Sequence, residues 1–179
     1  MDGRPNETSR SAGDELRLDR HWDRIRTVVA RGQRSTGHCA IASVGPDGIP
    51  NVTPVGTVFL RDNGTGFYFD VYTSALARNI EANPKVCLMA VDSGSWMWLR
   101  SLIIGRFVQP PGVRLYGTAG SRRPATAEER SEVERRVRQA QRLKGGRLLW
   151  SEFTHVRDIT FSEFRPVRYP RMMDGMWAD

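Results

Sequence analysis

The sequence predicts a mainly β fold: a small antiparallel barrel, closed or split, with helices covering its ends. Three observations predict it. Short runs of apolar, β-branched and aromatic residues recur through the middle of the chain. The first of these runs are joined by glycine-bearing turns, far too short for the crossover that a parallel pair of strands requires. Helical periodicity is confined to one long stretch near each end and a short one between. No GxGxxG, GxxxxGKS/T or HExxH sequence occurs, so dinucleotide-fingerprint, P-loop and zincin chemistry lose their support.

Residues 1–13 are polar and aperiodic and read as a flexible tail. From Asp14, the residues Leu16, Leu18, Trp22, Ile25, Val28 and Val29 recur at helical spacing, and Gly32 reads as the stop that ends the helix near Arg31. Cys39 to Val44 is an apolar run. Gly45-Pro46-Asp47-Gly48 then supplies a turn, and Pro50 to Leu60 resumes as the second strand of a hairpin. A second turn over Arg61 to Thr65 leads to Gly66 to Val71, a third strand of the same meander. Ser74 is the expected N-cap of a short helix that Asn83-Pro84 ends. Val86 to Val91 reads as a strand buried on both faces. Trp96 to Val108 fits a strand or an irregular apolar segment, broken by Pro110-Pro111-Gly112, and Val113 to Ala119 reads as another strand. Thr126 with Glu128 and Glu129 opens a helix near 125–143, whose thin apolar face, Val133, Val137, Ala140 and Leu143, suits the outside of a barrel. Ile159, Phe161, Phe164 and Val167 predict a last strand or two.

At 179 residues, with 39% apolar and 26% charged, the chain suits one compact domain over residues 14–179. No run approaches the roughly 18 apolar residues of a membrane span, and the first dozen residues lack a secretory signal. Cys39 and Cys87 make no disulfide framework, so a reducing cytoplasm is expected. The formal charge is +7, and all but Lys85 and Lys144 of the 27 basic residues are arginine, scattered through every element. This is read as a solvated basic surface with one or two arginines serving an anionic small molecule, rather than as a nucleic-acid face. His21, His38 and His155 lack metal-ligand spacing, and no metal is expected. Cys39 and Cys87 read as small hydrophobes, and Trp96, Trp98 and Trp150 as core or subunit-contact residues, with an aromatic wall over a planar ligand as the other use.

The run His38 to Val55, followed by Phe67-Tyr68-Phe69 and then by Thr73-Ser74-Ala75-Leu76-Ala77-Arg78-Asn79 through Asn83-Pro84-Lys85-Val86, resembles the pyridoxamine 5′-phosphate oxidase-like family of flavin-binding split barrels. The resemblance covers 37–92 well and 113–119 loosely. It implies a homodimer with flavin mononucleotide (FMN) in a cleft between subunits, and hydride transfer between the flavin ring and an unidentified small molecule. The site residues it implies are Thr53, Pro54, Val55, Gly56 and Thr57 beside the ring, and Thr73, Ser74, Arg78 and Asn79 around the phosphate. Elementary chemistry agrees at two places. A helix beginning at Ser74 offers unpaired N–H groups and the positive end of its dipole to an anion. Pro54 cannot donate to a strand ladder, which points to an edge and leaves neighbouring backbone groups for a ligand.

One departure stands out. Many members carry a lysine two residues after the serine, where this chain has Leu76, so Arg78, Arg106, Arg114 or a residue of a second subunit must stand in. Related proteins use the deazaflavin F420, and others bind haem or have lost a cofactor. An F420-dependent reductase is therefore the alternative enzyme reading, and a non-enzymatic cofactor- or nucleic-acid-binding module the reading from another class. Arg171 and Trp177 echo only distantly the family's C-terminal arginine-tryptophan signature, so pyridoxamine phosphate oxidation itself is not implied.

Overall fold

The computed structural model describes residues 16–138, 142, 145, 153–169 and 171–177. The tail expected over residues 1–13, the helix positions Ala140 and Leu143, and Trp150 lie outside them. The first helix, α1 (Leu18–Thr36), buries Trp22, Ile25, Val28 and Val29 as its periodicity predicts. It runs past the expected stop. Gly32 is an interior helix residue at which a Cβ would lie 3.0 Å from the Val91 nitrogen, so its small size lets the helix lie against the sheet. The stop is Gly37, at φ 81°, whose N–H donates to the Gln33 carbonyl.

Strands β1 (Cys39–Val44) and β2 (Pro50–Val55) form the expected hairpin, in register from Cys39↔Val55 to Val44↔Pro50, with Gly48 at φ 78° in the turn. The expected long strand from Pro50 to Leu60 is instead two. After Gly56-Thr57 the chain enters β3 (Val58–Leu60), which pairs with β4 (Thr65–Phe69) and not with β2. Then come α2 (Ser74–Ala82), β5 (Lys85–Val91), α3 (Ser95–Ile104), β6 (Gly112–Pro124), α4 (Ala127–Val137) and β7 (His155–Pro166). The strands make one antiparallel sheet in the order β2-β1-β5-β6-β7-β4-β3.

That order requires curvature. Laid flat, seven strands at about 4.8 Å spacing would put the edges β2 and β3 about 29 Å apart. Val55 and Val58 are three residues apart, and three Cα steps reach about 11 Å at most. The sheet therefore curls until its edges approach, which makes it the predicted split barrel. Ile41, Leu88, Leu115, Tyr68 and Val113 fill the interior, with α1 and the α2 residues Leu76 and Ile80 packed against it. On the opposite side of β3 and β4, Phe59, Phe67 and Phe69 form a second cluster beneath Val133 and Val137 of α4. α4 thus lies outside the barrel, as its thin face predicts. Thr126 caps it in a reciprocal box: the Glu129 N–H donates to the Thr126 hydroxyl, and the Thr126 N–H to the Glu129 carboxylate.

Two further expectations are corrected. β5 is buried only at Val86, Leu88 and Ala90; Cys87 and Val91 are half-buried and Met89 is exposed, because no element among the described residues covers the other face of the sheet there. Trp96 to Ile104 is neither strand nor irregular but helix α3, bounded by Gly94 and by Gly105 at φ 76°. Among the described residues, no helix is long and apolar enough to cross a membrane.

Candidate cofactor site

The N-terminus of α2 is built on a buried ion network. Thr73, not Ser74, is the N-cap, and its hydroxyl does not cap the helix: it donates to the Asp70 carboxylate. Asp70 also accepts from Arg157 Nε at 3.0 Å, and Arg157 donates through Nη2 to Glu81 at 2.7 Å. Arg122 adds a cation 3.6 Å from Asp70. Burial works against the charged form of Arg157, and its hydrogen bonds to Glu81 and Asp70 overcome that, leaving its pKa raised. Asp70 is thereby matched by two arginines.

Above this network, the first helical N–H to find a helix carbonyl is that of Ala77, which reaches Thr73 at 2.7 Å. The N–H groups of Ser74, Ala75 and Leu76 have no acceptor within the helix. Arg78, one turn on, is exposed and makes no hydrogen bond or ion pair among the described residues. The arrangement leaves oriented N–H dipoles and one uncompensated guanidinium at the same helix end. Tyr72, just before the cap, stands at φ 58° and is 76% exposed. A left-handed tyrosine costs about 1–2 kcal/mol, held here by the bonds on either side of it.

The β2 residues reach this region through Asn79. Its side chain is buried and donates to the Ser43 hydroxyl at 3.1 Å. Ser43 lies opposite Asn51 in the β1–β2 register, and Asn51 donates to the Thr53 hydroxyl at 3.0 Å on the same face. Thr53 and Asn51 thus lie on the same face of the hairpin as Ser43, through which Asn79 fastens α2 to the barrel. Pro54 is exposed on β2, an edge strand, as a strand proline requires. Val55 is buried. Gly56 and Thr57 turn elsewhere: with Gln33, Arg34 and Arg136 they line a 590 Å³ cavity between α1 and α4. The Gly56 carbonyl, expected to be free, accepts from Gln33 Nε2 at 2.8 Å.

Leu76 has no exposure and belongs to the core, so that position contributes no group to the helix end. Arg106 is exposed in the segment after α3, and Arg114 lies on the outward face of β6, on other parts of the molecule. His21 packs between Phe164 and Trp177, and Trp177 is buried there, so it serves the core. Trp98 packs with Phe107 and Tyr169, whereas Trp96 is exposed. Burial pushes the Cys39 thiol up to about 12 and that of Cys87 upward too, so neither is a ready thiolate. No three His, Cys, Asp or Glu side chains cluster as metal ligands among the described residues.

Sequence reasoning missed Tyr72, Asp70, Arg122 and Arg157. No local signal marks them, because the partner that Arg157 bonds is 87 residues away.

Residues 25–160 match the family model for pyridoxamine 5′-phosphate oxidase. No curated protein matches the chain. An FMN-binding protein from Syntrophomonas wolfei shares the fold at a TM-score of 0.56 and 10% identity, over 85% of this chain and 90% of that one. An F420 reductase does so at 0.51 and 17% identity, over 78% and 94%. HupZ of Group A Streptococcus aligns at 0.51 and 19% identity, over 81% and 92%.

Proposed function

Since the chain belongs to the pyridoxamine 5′-phosphate oxidase family, we propose that it is a flavin-dependent oxidoreductase of small molecules, with FMN as the cofactor. The observation that carries this reading is the open N-terminus of α2, where three N–H groups and the unpaired Arg78 point to an oxyanion. The Asp70 carboxylate nearby would repel a phosphate, and Arg157 and Arg122 neutralise it. When bound, the flavin supplies the hydride chemistry. This chain's residues hold and orient it: Ser74 and Arg78 at the phosphate, Thr53 and Pro54 along the ring. Asn79 fixes the distance between helix and strand, and Thr73 fixes the cap.

Arg78→Ala should weaken FMN retention by about 1.5–3 kcal/mol, the range for a charged hydrogen bond, and leave the thermal midpoint nearly unchanged. Equilibrium dialysis of the folded variant measures it. Unchanged retention removes Arg78 from the site.

A second reading has its own support. With Leu76 in the core, Arg78 is the single unpaired cation at this helix end among the described residues, and one cation suits the singly charged phosphodiester of F420 better than a phosphate monoester. Parallel titration with both cofactors decides between them. A nucleic-acid module, the reading from another class, would show affinity falling steeply with salt, which flavin binding would not.

The cleft is proposed to be completed by a second copy of the chain. Trp96, Leu99, Leu102, Ile103, Ile104 and Val108 are 47–77% exposed on and just after α3, an apolar patch of the kind that marks an interface. Burying each would contribute up to about 1.5–3 kcal/mol. Sedimentation at micromolar concentration should show a dimer for the native chain and a monomer for Ile103→Asp. A native chain that sediments as a monomer contradicts the dimer.

A further inference from the structure

A groove of 1280 Å³ lies between the start of α1 and β7 and is lined by none of the β2 and α2 residues of the candidate cofactor site. Its floor is apolar, formed by buried Trp22, Phe161 and Phe164. Its rim is charged, and most of those charges are already matched: Asp19 by Arg17, Glu163 by Arg165, and Asp62 by Arg26 from outside the groove. Arg114 and Arg168 remain. Arg168 is exposed and makes no hydrogen bond or ion pair among the described residues. Among the described residues, Arg114 has a buried Nε with no acceptor, and its Nη2 reaches only the Pro166 carbonyl, at 3.5 Å. A buried guanidinium N–H without an acceptor calls for a missing partner.

The strand register sharpens the point. Arg114 lies directly opposite Arg165 on β6 and β7, and like charges in that position repel. The same two strands carry a second opposed pair, Arg122 and Arg157, and there the Asp70 carboxylate lies against both guanidinium groups. At Arg114 no carboxylate among the described residues plays that part. Glu163 pairs with Arg165 alone, while Arg165 stacks over Tyr116 with its guanidinium carbon 5.1 Å from the ring centroid.

We propose that this groove is a second binding site, for an organic oxyanion with a planar apolar body. Arg114 and Arg168 take the carboxylate or phosphate, and Trp22, Phe161 and Phe164 carry the ring. The site stands apart from the flavin reading and survives its failure.

Titration with 4-nitrophenyl phosphate and, separately, 4-nitrobenzoate tests it, since both rings quench tryptophan fluorescence and the two arms tell phosphate from carboxylate. Saturable quenching by at least one probe is expected, weakened tenfold or more in Arg114→Gln and less in Arg114→Lys, which keeps the charge and loses the fork. The thermal midpoint of Arg114→Gln should hold or rise, because the cross-strand repulsion is relieved. FMN or F420 retention should be unchanged. The proposal is overturned by non-saturable quenching into the millimolar range, or by quenching that neither substitution alters. Loss of flavin together with the probe in Arg114→Gln also overturns it, by assigning Arg114 to the cofactor cleft. Saturable probe binding by a protein that retains no flavin upholds this site and contradicts the flavin reading alone.

Discussion

Arg157→Met should destabilise the protein by roughly 3–5 kcal/mol, measured as a shift in the denaturant midpoint, because it strands a buried carboxylate. Arg157 is 3% exposed and bonds Asp70, Glu81 and the Gly120 carbonyl. Its removal leaves Asp70 with the Thr73 hydroxyl and with Arg122, which is 3.6 Å away and about half exposed. Adding Asp70→Asn to Arg157→Met should recover part of the loss, since the two residues share one network and their effects do not add. The Arg157 variant should also lose cofactor, because the same bonds hold the turn before α2. A midpoint shift under 1 kcal/mol would show that Arg157 is not the centre of that support.

Arg123→Gln should cost about 1–2 kcal/mol, since the network is about a third exposed and Arg61 still holds both carboxylates, and should blunt the protein's acid sensitivity. Arg123 makes two-pronged contacts to Asp158, at 2.6 and 2.8 Å, and to Glu129, at 3.0 and 2.7 Å. Arg61 bonds the same two carboxylates at 2.7 and 2.9 Å. Together these bonds pin the start of α4 to the barrel. Hydrogen bonding from Arg123 holds the carboxyls of Glu129 and Asp158 below their ordinary values of 4.5 and 3.8. A carboxyl with a depressed native pKa contributes stability that is present above its unfolded pKa and is lost as pH falls through the native one. The denaturant midpoint of the native chain should therefore fall as pH drops from about 5 to 3. Arg123→Gln should begin lower and fall less, and parallel pH profiles for the two would contradict the assignment.

The parts of the fold legible in the sequence were those whose signals are local. The β1–β2 hairpin follows from Asp47-Gly48, and the start of α4 from the Thr126 to Glu129 spacing. Features decided by distant partners were hidden. Gly56-Thr57 carries no turn signature, and the break there arises because the sheet must close. Gly32 and Gly37 look equally like helix stops, and only the approach of β5 distinguishes them. The run from Trp96 to Ile104 has no dominant period because its apolar side chains are not sorted into a buried and a wet face. Ser101 is the one fully buried residue of α3. At the candidate site, Ser74, Arg78 and Asn79 could be picked out in one short segment. Tyr72 could not, since nothing about a tyrosine announces a left-handed backbone.

The most direct measurement is the absorption spectrum of the purified protein, recorded as isolated and again after incubation with FMN or F420 and removal of excess ligand. The account predicts a chromophore retained at one per chain in the native protein and retained less in Arg78→Ala. No retained chromophore from either cofactor would contradict it.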